Sequence, residues 1–449
     1  MAKKRWIAPN VRIISIAEKG MCIGRDEEGK VYLVEFAVPG DVVDVEVRRK
    51  KKGLPFGAPA RIVQPSVQQK EAVVQDALTR IGGIRNVRID PIVPCPRVFY
   101  YRNKLEYSFS ARRWLSRSEI QSAPPNSLRK DRALGFHAPG VFDKVVDIQH
   151  CYLQEEPSNA IKNFVRQYAL EHGLSFYNYR RHQGFLRSLI LRIATTGQVM
   201  VTLVFGENHP DQIEALLSAL RHQFPHLTTL CYFINTKKND SLFDLLPYTF
   251  DGPGYIIEQL DGIRYKIGPK SFFQTNSYQA VELYRAVVDM AQICKSDTVY
   301  DLYCGVGGIA LFVAPHARHV LGIETVEEAV RDARANAELN QCTNTAFMTG
   351  DVAEVLRPEV WDHHGRPDVL ITDPPRSGMH RRVIEHLIQL APKRIVYVSC
   401  NPATQARDIA LLSSHYRTVR VRPFDLFPHT AHVEAIALLE RKDLSNVAN

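Results

Sequence analysis

The residues able to do chemistry in this 449-residue chain gather in its C-terminal part. Asp301-Leu-Tyr-Cys-Gly305-Val-Gly307 follows an apolar run and opens a helix, and Glu324 ends the next apolar run 19 residues after Gly305. Glycines let a backbone approach a ligand closely, and an acid at that spacing can accept both hydroxyls of a ribose. The pattern predicts a nucleoside cofactor, and a dinucleotide fits as well as a methyl-donor nucleoside. Asp301 stands where a carboxylate could orient the loop or meet a cofactor amine. Asp351, after Gly350, suits an adenine contact; a surface turn explains it nearly as well.

Two further motifs separate the cofactors. Asp373-Pro-Pro-Arg376 ends one apolar run and Ser399-Cys400-Asn-Pro402 ends another. A dehydrogenase has no use for a cysteine there. An enzyme that methylates a base carbon does. Carbon 5 of uracil is a weak nucleophile, and a thiolate adding to carbon 6 makes carbon 5 an enolate carbon able to attack a methyl group. A base must then remove the proton left on carbon 5. That chemistry demands a Cys, a carboxylate on the uracil edge and a separate base. Phe427-Pro-His-Thr-Ala-His432-Val-Glu434 offers the base. Glu434 leads an apolar strand, where partial desolvation would let it act near neutrality. His429 and His432 are alternatives that a structural role in the turn explains better. Cys400 alone could be an inert core residue; its strand-end position beside a carboxylate motif favours a nucleophile.

These residues need a scaffold that presents strand ends. Val299–Leu302, Val320–Ile323, Val369–Thr372 and Arg394–Ser399 are short apolar strands alternating with helices. They predict an α/β, Rossmann-like doubly wound parallel sheet, which binds ligands beyond its strand carboxyl ends. Upstream the rhythm differs. Residues 8–64 read as short strands of a small OB-like barrel, with a turn at Pro39-Gly40-Asp41 and alternation at Val43, Val45 and Val47. The run Arg48-Arg-Lys-Lys-Lys-Gly53 predicts a loop at a strand end. Residues 68–80 have helical spacing up to Gly82-Gly83. From about Tyr100 the chain is β-rich: Tyr101–Ser110 is a strand candidate, 116–132 reads as an exposed loop, and Thr195-Thr-Gly197 joins two strands as a hairpin. The expected division is 1–66 barrel, 67–95 helical segment packed on the catalytic domain, 96–266 β-rich central domain and 267–449 catalytic domain.

Charge follows this division. The chain carries 57 Lys/Arg and 48 Asp/Glu, net +9. Residues 271–449 hold 18 basic and 21 acidic side chains, net −3, which leaves +12 in residues 1–270. A basic front suits a polyanion, although solvated surface explains the excess equally well. No apolar run reaches a membrane span, no apolar stretch follows the basic start, and 8 cysteines are too few for a disulfide scaffold. A cytoplasmic protein with no membrane partner is expected.

Taken together, Asp301-Leu-Tyr-Cys-Gly-Val-Gly, Asp373-Pro-Pro-Arg, Val398-Ser-Cys-Asn-Pro-Ala-Thr-x-Ala-Arg-Asp408 and Phe427-Pro-His-Thr-x-His-Val-Glu434 resemble the RNA (uracil-5-)-methyltransferase family. Ser271-Phe-Phe-Gln-Thr-Asn276 and Tyr101-Arg-Asn-Lys104 match it too, and the barrel resembles the TRAM domain of its 23S ribosomal RNA branch. The resemblance implies Cys400 as nucleophile and Glu434 as general base. It implies S-adenosylmethionine contacts at Gln274, Tyr303, Glu324 and Asp373, beside Gly305 and Asp351 of the nucleoside pattern. Asp373 serves either the cofactor or the uracil. Phe272 matches a position near the target base; for Phe272 and Phe273 core packing is the alternative, and one of the two is expected to have it.

Many ribosomal members hold a 4Fe-4S cluster on four cysteines. Here Cys151 matches the fourth position, but no cysteine lies between Cys22 and Cys95, where the other three belong. One thiolate cannot hold a cluster, so none is expected, and Cys151 reads as a remnant. The expected function is methylation of uridine carbon 5 in RNA by a monomer, with 23S rRNA favoured and tRNA the alternative. A nicotinamide dehydrogenase would leave Cys400 and Asp373-Pro-Pro-Arg376 unexplained. A catalytically silent RNA-binding protein would need only the basic front. An adenine-amine methyltransferase would want an aromatic residue where Arg376 stands. A cytosine-5 enzyme shares the thiolate logic and is set aside only through the resemblance.

Overall fold

The computed structural model describes residues 6–16, 21–35, 37, 40–64, 67–115, 119–120 and 131–443. Strands β1 (Trp6–Ile16), β2 (Cys22–Arg25), β3 (Val31–Val34), β4 (Val42–Lys51) and β5 (Leu54–Gln64) close a barrel in the order β1-β2-β3-β5-β4. Val43, Val45 and Val47 point into its core while Asp44 and Glu46 do not, the period of two expected of a strand with one buried face. The Arg48–Lys51 run is not a loop. β4 continues through it, because the long β4–β5 ladder extends to Lys51 opposite Leu54. Only Lys52 and Gly53 turn, both at positive φ, as a tight hairpin requires.

Only residues 65 and 66 separate β5 from the helix Val67–Asp76, which a short π-helical turn, Ala77–Ile81, extends. That helix is bolted to the C-terminal body. Lys70 Nζ lies 2.6 Å from Asp425 Oδ1, both side chains buried, and also donates to the Phe427 carbonyl. The chain then adds β6 (Arg88–Ile89) beside a C-terminal strand.

The central sheet contains β7 (Lys104–Ser110), β8 (Arg113–Trp114), β9 (Ala133–His137), β10 (Val145–Asp147), β11 (Leu186–Ile193), β12 (Val199–Phe205), β13 (Thr229–Ile234) and β14 (Tyr248–Asp251), ordered β14-β13-β12-β11-β7-β9-β10-β8. The helices Ser158–Glu171 and Pro210–Gln223 share its core. The exposed loop expected at 116–132 falls largely outside the described residues. A two-stranded ribbon, β15 (Ile256–Leu260) and β16 (Ile263–Ile267), bridges this sheet to the next. Glu258 accepts the Thr195 N–H on one side, and Tyr265 donates to the Gly308 carbonyl on the other.

The C-terminal sheet holds β17 (Thr298–Leu302), β18 (His319–Glu324), β19 (Thr345–Thr349), β20 (Val369–Thr372), β21 (Arg394–Ser399), β22 (Tyr416–Phe424) and β23 (Glu434–Arg441). Its order is β19-β18-β17-β20-β21-β23-β22-β6. β17 to β21 are parallel, and β23 inserts antiparallel between β21 and β22. Apolar clusters on both faces bury β20 and β21 almost completely, which is why they read as unbroken apolar runs. The order reverses between β17 and β20, and a ligand crevice opens at such a switch point.

Candidate active site

The glycine loop is built at the switch point. Tyr303 and Cys304 leave β17 with their N–H groups on the Ile323 carbonyl. Gly305 and Gly307 both have positive φ, so the chain doubles back before the helix Gly308–Val313. A Cβ on Gly305 would meet nothing within 4 Å, so that side of the loop is open. Glu324 accepts the Gly305 N–H at 3.1 Å and the Val326 N–H at 2.9 Å. Asp301 is 1% exposed, and among the described residues the Ala310 N–H at the start of the next helix is the one donor that faces its carboxylate. Burial first, then the Asp373 charge, raise its pKa well above the usual range. Burial also pushes the Tyr303 hydroxyl up to about 12. Asp351 accepts the Ala353 N–H at 2.7 Å and caps the short helix Val352–Val355.

A second group lies at the ends of β20, β21 and β23. Thr372 pairs with Tyr397 and Ser399 with Ala435, so Asp373, Cys400 and Glu434 share one edge of the sheet. Cys400 is half-buried and Glu434 is buried. Burial raises the Cys400 thiol above its usual range, the charges of Glu434 and Asp373 add to this, and Arg376 opposes it. Burial likewise lifts Asp373 to about 7. Glu434 is raised well above ordinary carboxylates by burial and by Asp373, with Arg376 again opposing.

Arg376, which the sequence marked only as a motif residue, is thus the cation shared by this cluster; its guanidinium lies 3.3 Å from His432 Nδ1. Its carbonyl accepts Asn401 Nδ2 at 2.9 Å and Thr404 Oγ1 at 3.2 Å, tying the Pro-Pro-Arg loop to the Cys400 loop. Two more residues, Gln405 and the motif residue Asp408, have no role assigned from the sequence. Gln405 donates to the carbonyls of Tyr397 and Ala435, stapling β21 to β23 beside Cys400 and Glu434. Asp408 accepts from Tyr397 and from the Met379 N–H, closing the loop after Arg376. His429 binds the Val98 carbonyl.

The Ser271–Asn276 segment is held from the central sheet. Asn103 Nδ2 donates to the Gln274 carbonyl and to Ser277 Oγ, both at 2.8 Å, and its N–H bonds Thr275. Buried Arg192 donates to the Ser271 carbonyl. Tyr101 donates to the Pro428 carbonyl at 3.1 Å. These clamps explain why β7 starts only at Lys104: Tyr101, Arg102 and Asn103 are committed to other contacts. Phe273 is buried against Tyr265, whereas Phe272 is 72% exposed. Gln274 is half-buried on the same segment.

A profile described as tRNA (uracil-5-)-methyltransferase matches residues 188–357 and 361–442. The chain belongs to this family. RNA methyltransferases of Bacteroides thetaiotaomicron and Porphyromonas gingivalis, both uncharacterized, are each 43% identical to it, over 95% and 96% of this chain and 100% and 99% of theirs. The Pyrococcus abyssi tRNA (uracil-54, C5)-methyltransferase, solved with S-adenosyl-L-homocysteine, is 29% identical with a TM-score of 0.66, covering 96% of this chain and all of that one.

The uracil-5 methyltransferase described here therefore depends on S-adenosylmethionine. Its own residues fit that cofactor. The under-satisfied carboxylate of buried Asp301 and the open face of Gly305 leave a polar cradle at the switch point, and each Glu324 oxygen keeps acceptor capacity beyond its one N–H. Among the described residues of the methyltransferase, no group of three or more His, Cys, Asp or Glu could hold a metal ion. Cys151 is buried in the central core, and its N–H and carbonyl bond the Asn159 amide. No described helix is long and apolar enough to cross a membrane.

Proposed function

We propose that this enzyme methylates carbon 5 of a specific uridine in RNA through a covalent Cys400–uracil adduct, with 23S rRNA, read from the barrel's resemblance, as the first candidate substrate. The observation that carries the reading is the shared edge of Cys400, Asp373 and Glu434, three groups on three strands, beside the cofactor cradle. The Cys400 thiolate adds to carbon 6, and the electron pair moves onto the carbon 5–carbonyl system. When bound, S-adenosylmethionine would supply the electrophilic methyl group that carbon 5 attacks, the S–CH3 electron pair staying on sulfur as S-adenosylhomocysteine forms. Glu434 then takes the carbon 5 proton, the double bond re-forms and the thiolate leaves. Asp373, whose carboxyl burial raises to about 7, holds the uracil edge or the cofactor amine. Exposed Phe272 stacks on the flipped base. Gln274, Tyr303, Gly305, Glu324 and Asp351 line the cofactor side.

The basic front grips RNA through phosphates, so binding weakens steeply with salt. A tRNA substrate is the second reading. The Pyrococcus tRNA enzyme matches 96% of this chain, a span that takes in the barrel, so a barrel does not by itself favour ribosomal RNA. Mapping 5-methyluridine in total RNA from a strain lacking the gene separates the two. Loss of one site in 23S rRNA supports the first reading, loss from tRNA the second, and no loss overturns both.

A further inference from the structure

Beside the candidate site lies a ridge of rings that the proposed chemistry does not use. Phe99, Tyr100, His150, Tyr152 and His429 touch in series: His429 stacks on Phe99 at 4.8 Å, Phe99 meets Tyr152 at 6.3 Å, and Tyr152 meets His150 at 4.5 Å and Tyr100 at 6.2 Å. Tyr152 is 58% and Phe99 43% exposed, so this is not core packing. Phe99, Tyr100 and His150 all lie oblique to Tyr152, at 66°, 58° and 59°, so among the described residues no ring occupies a parallel stacking position on it.

The ridge is built rather than incidental. Tyr100 and His429 both have positive φ, at 56° and 66°, a conformation that costs energy for side chains of this size. The Tyr100 N–H bonds the Tyr152 carbonyl at 2.8 Å and His429 bonds the Val98 carbonyl at 2.9 Å, so two distant segments are pinned to hold the rings together. The ridge is also continuous with the candidate site. His429 belongs to the turn that leads into Glu434, and Arg102 sits over Phe427 of that turn at 5.6 Å. Exposed Arg97 lies two residues before Phe99.

We propose that this ridge is a stacking platform for unpaired nucleotides of the RNA substrate next to the target uridine. The proposal rests on the reading of the Cys400–Glu434 edge as the reaction centre. A duplex cannot offer a base face to Tyr152; a loop or bulge with splayed bases can, and every base has one. Extruding the target uridine unstacks its neighbours, and the platform supplies new faces for them.

The test uses the full-length enzyme and unmodified transcripts of 23S rRNA and tRNA. RNA affinity is measured for Phe99→Ala/Tyr152→Ala across a salt series, with S-adenosylmethionine affinity alongside. The expected result is RNA binding weakened about tenfold or more, with an unchanged salt slope, because stacking carries no counterion release. Cofactor affinity should stay at the wild-type value, and Tyr152→Phe should bind RNA normally. Phe99→Leu and Tyr152→Leu, which keep bulk without a π-face, carry the test if the double variant folds poorly. Wild-type RNA affinity in these variants, or a Tyr152→Phe loss as large as that of Tyr152→Leu, overturns the platform. Cys400→Ala is run in parallel. If it still methylates, the covalent reading falls while an RNA-binding loss in the ring variants still upholds the platform. If it is inert and the ring variants bind normally, only the platform falls.

Discussion

Cys400 follows the last residue of β21, and Glu434 opens β23 at the same level, because Ser399 faces Ala435 across an antiparallel pair. A thiol leaving one strand and a carboxyl entering its neighbour are thereby aimed at one space. Removing each should fail differently. Cys400→Ala is expected to lower methylation by on the order of 10³-fold or more while S-adenosylmethionine binding persists. Glu434→Gln should leave addition and methyl transfer possible but strand the product. The readout is an RNA–protein adduct that survives denaturing electrophoresis in Glu434→Gln and is absent in Cys400→Ala.

The titrations of this edge set a pH dependence. Asp373 is raised to about 7, Glu434 lies well above ordinary carboxylates, and Cys400 lies above ordinary thiols. A base must be deprotonated and a nucleophile must be a thiolate, so both requirements favour higher pH. Single-turnover methylation is expected to climb from about pH 6 to about pH 9 instead of levelling off near pH 6. A flat profile over that window would contradict the proposed roles.

Arg376 works against these upward shifts. Replacing it by Ala removes the cation that favours the thiolate, so the Cys400 pKa should rise further. At about pH 7 the rate should fall roughly 10- to 100-fold, with part of the loss recovered at higher pH; Arg376→Lys should retain more activity. A loss that is constant at every pH would point to RNA contact alone. The measurement is a pH–rate profile of the variants beside the wild type.

If Asp301 meets the cofactor as proposed, it trades stability for a ligand. Its buried, under-satisfied carboxylate is costly, so Asp301→Asn is expected to stabilise the free enzyme by about 1–3 kcal/mol near neutral pH while weakening S-adenosylmethionine binding. The sign with pH follows from its raised pKa. The stability that protonation of Asp301 contributes is full below the unfolded value of about 4, and it is lost as pH rises through the higher folded value. Urea denaturation with calorimetric titration of the cofactor measures both effects.

Lys70 and Asp425 form a buried pair, and removing one partner strands the other. Lys70→Ala should cost about 3–5 kcal/mol, whereas Lys70→Met combined with Asp425→Leu should cost much less. Urea denaturation of the C-terminal body gives the comparison.

The doubly wound sheet was legible because β17, β18, β20 and β21 are buried on both faces and therefore read as apolar runs ending in polar motifs. Asp373 and Cys400 stand out for that reason. The neighbourhood of Glu434 was not legible. Nothing local says that β23 inserts between β21 and β22, and the Gln405 bonds that staple it there join distant segments. Tyr101-Arg-Asn-Lys104 looked like the start of a strand, yet Tyr101 and Asn103 are clamps whose partners lie 327 and 171 residues away. Which of Phe272 and Phe273 is buried depends on Tyr265 of the ribbon, again a tertiary fact. The barrel's alternation was plain, but the basic run misled because charged residues at a ladder's far end still pair through their backbone.

The two-residue join between β5 and the bolted helix sets a leash. At roughly 3.5 Å per extended residue, the end of the barrel stays within about 10 Å of the start of that helix. If the barrel grips RNA as proposed, that RNA would be presented to the proposed reaction edge at a high effective concentration and over a narrow range of distances. Lengthening this join with a flexible insert would widen that range. The barrel would then work as a gauge as well as a hand, setting how far from its grip a uridine can lie and still be modified.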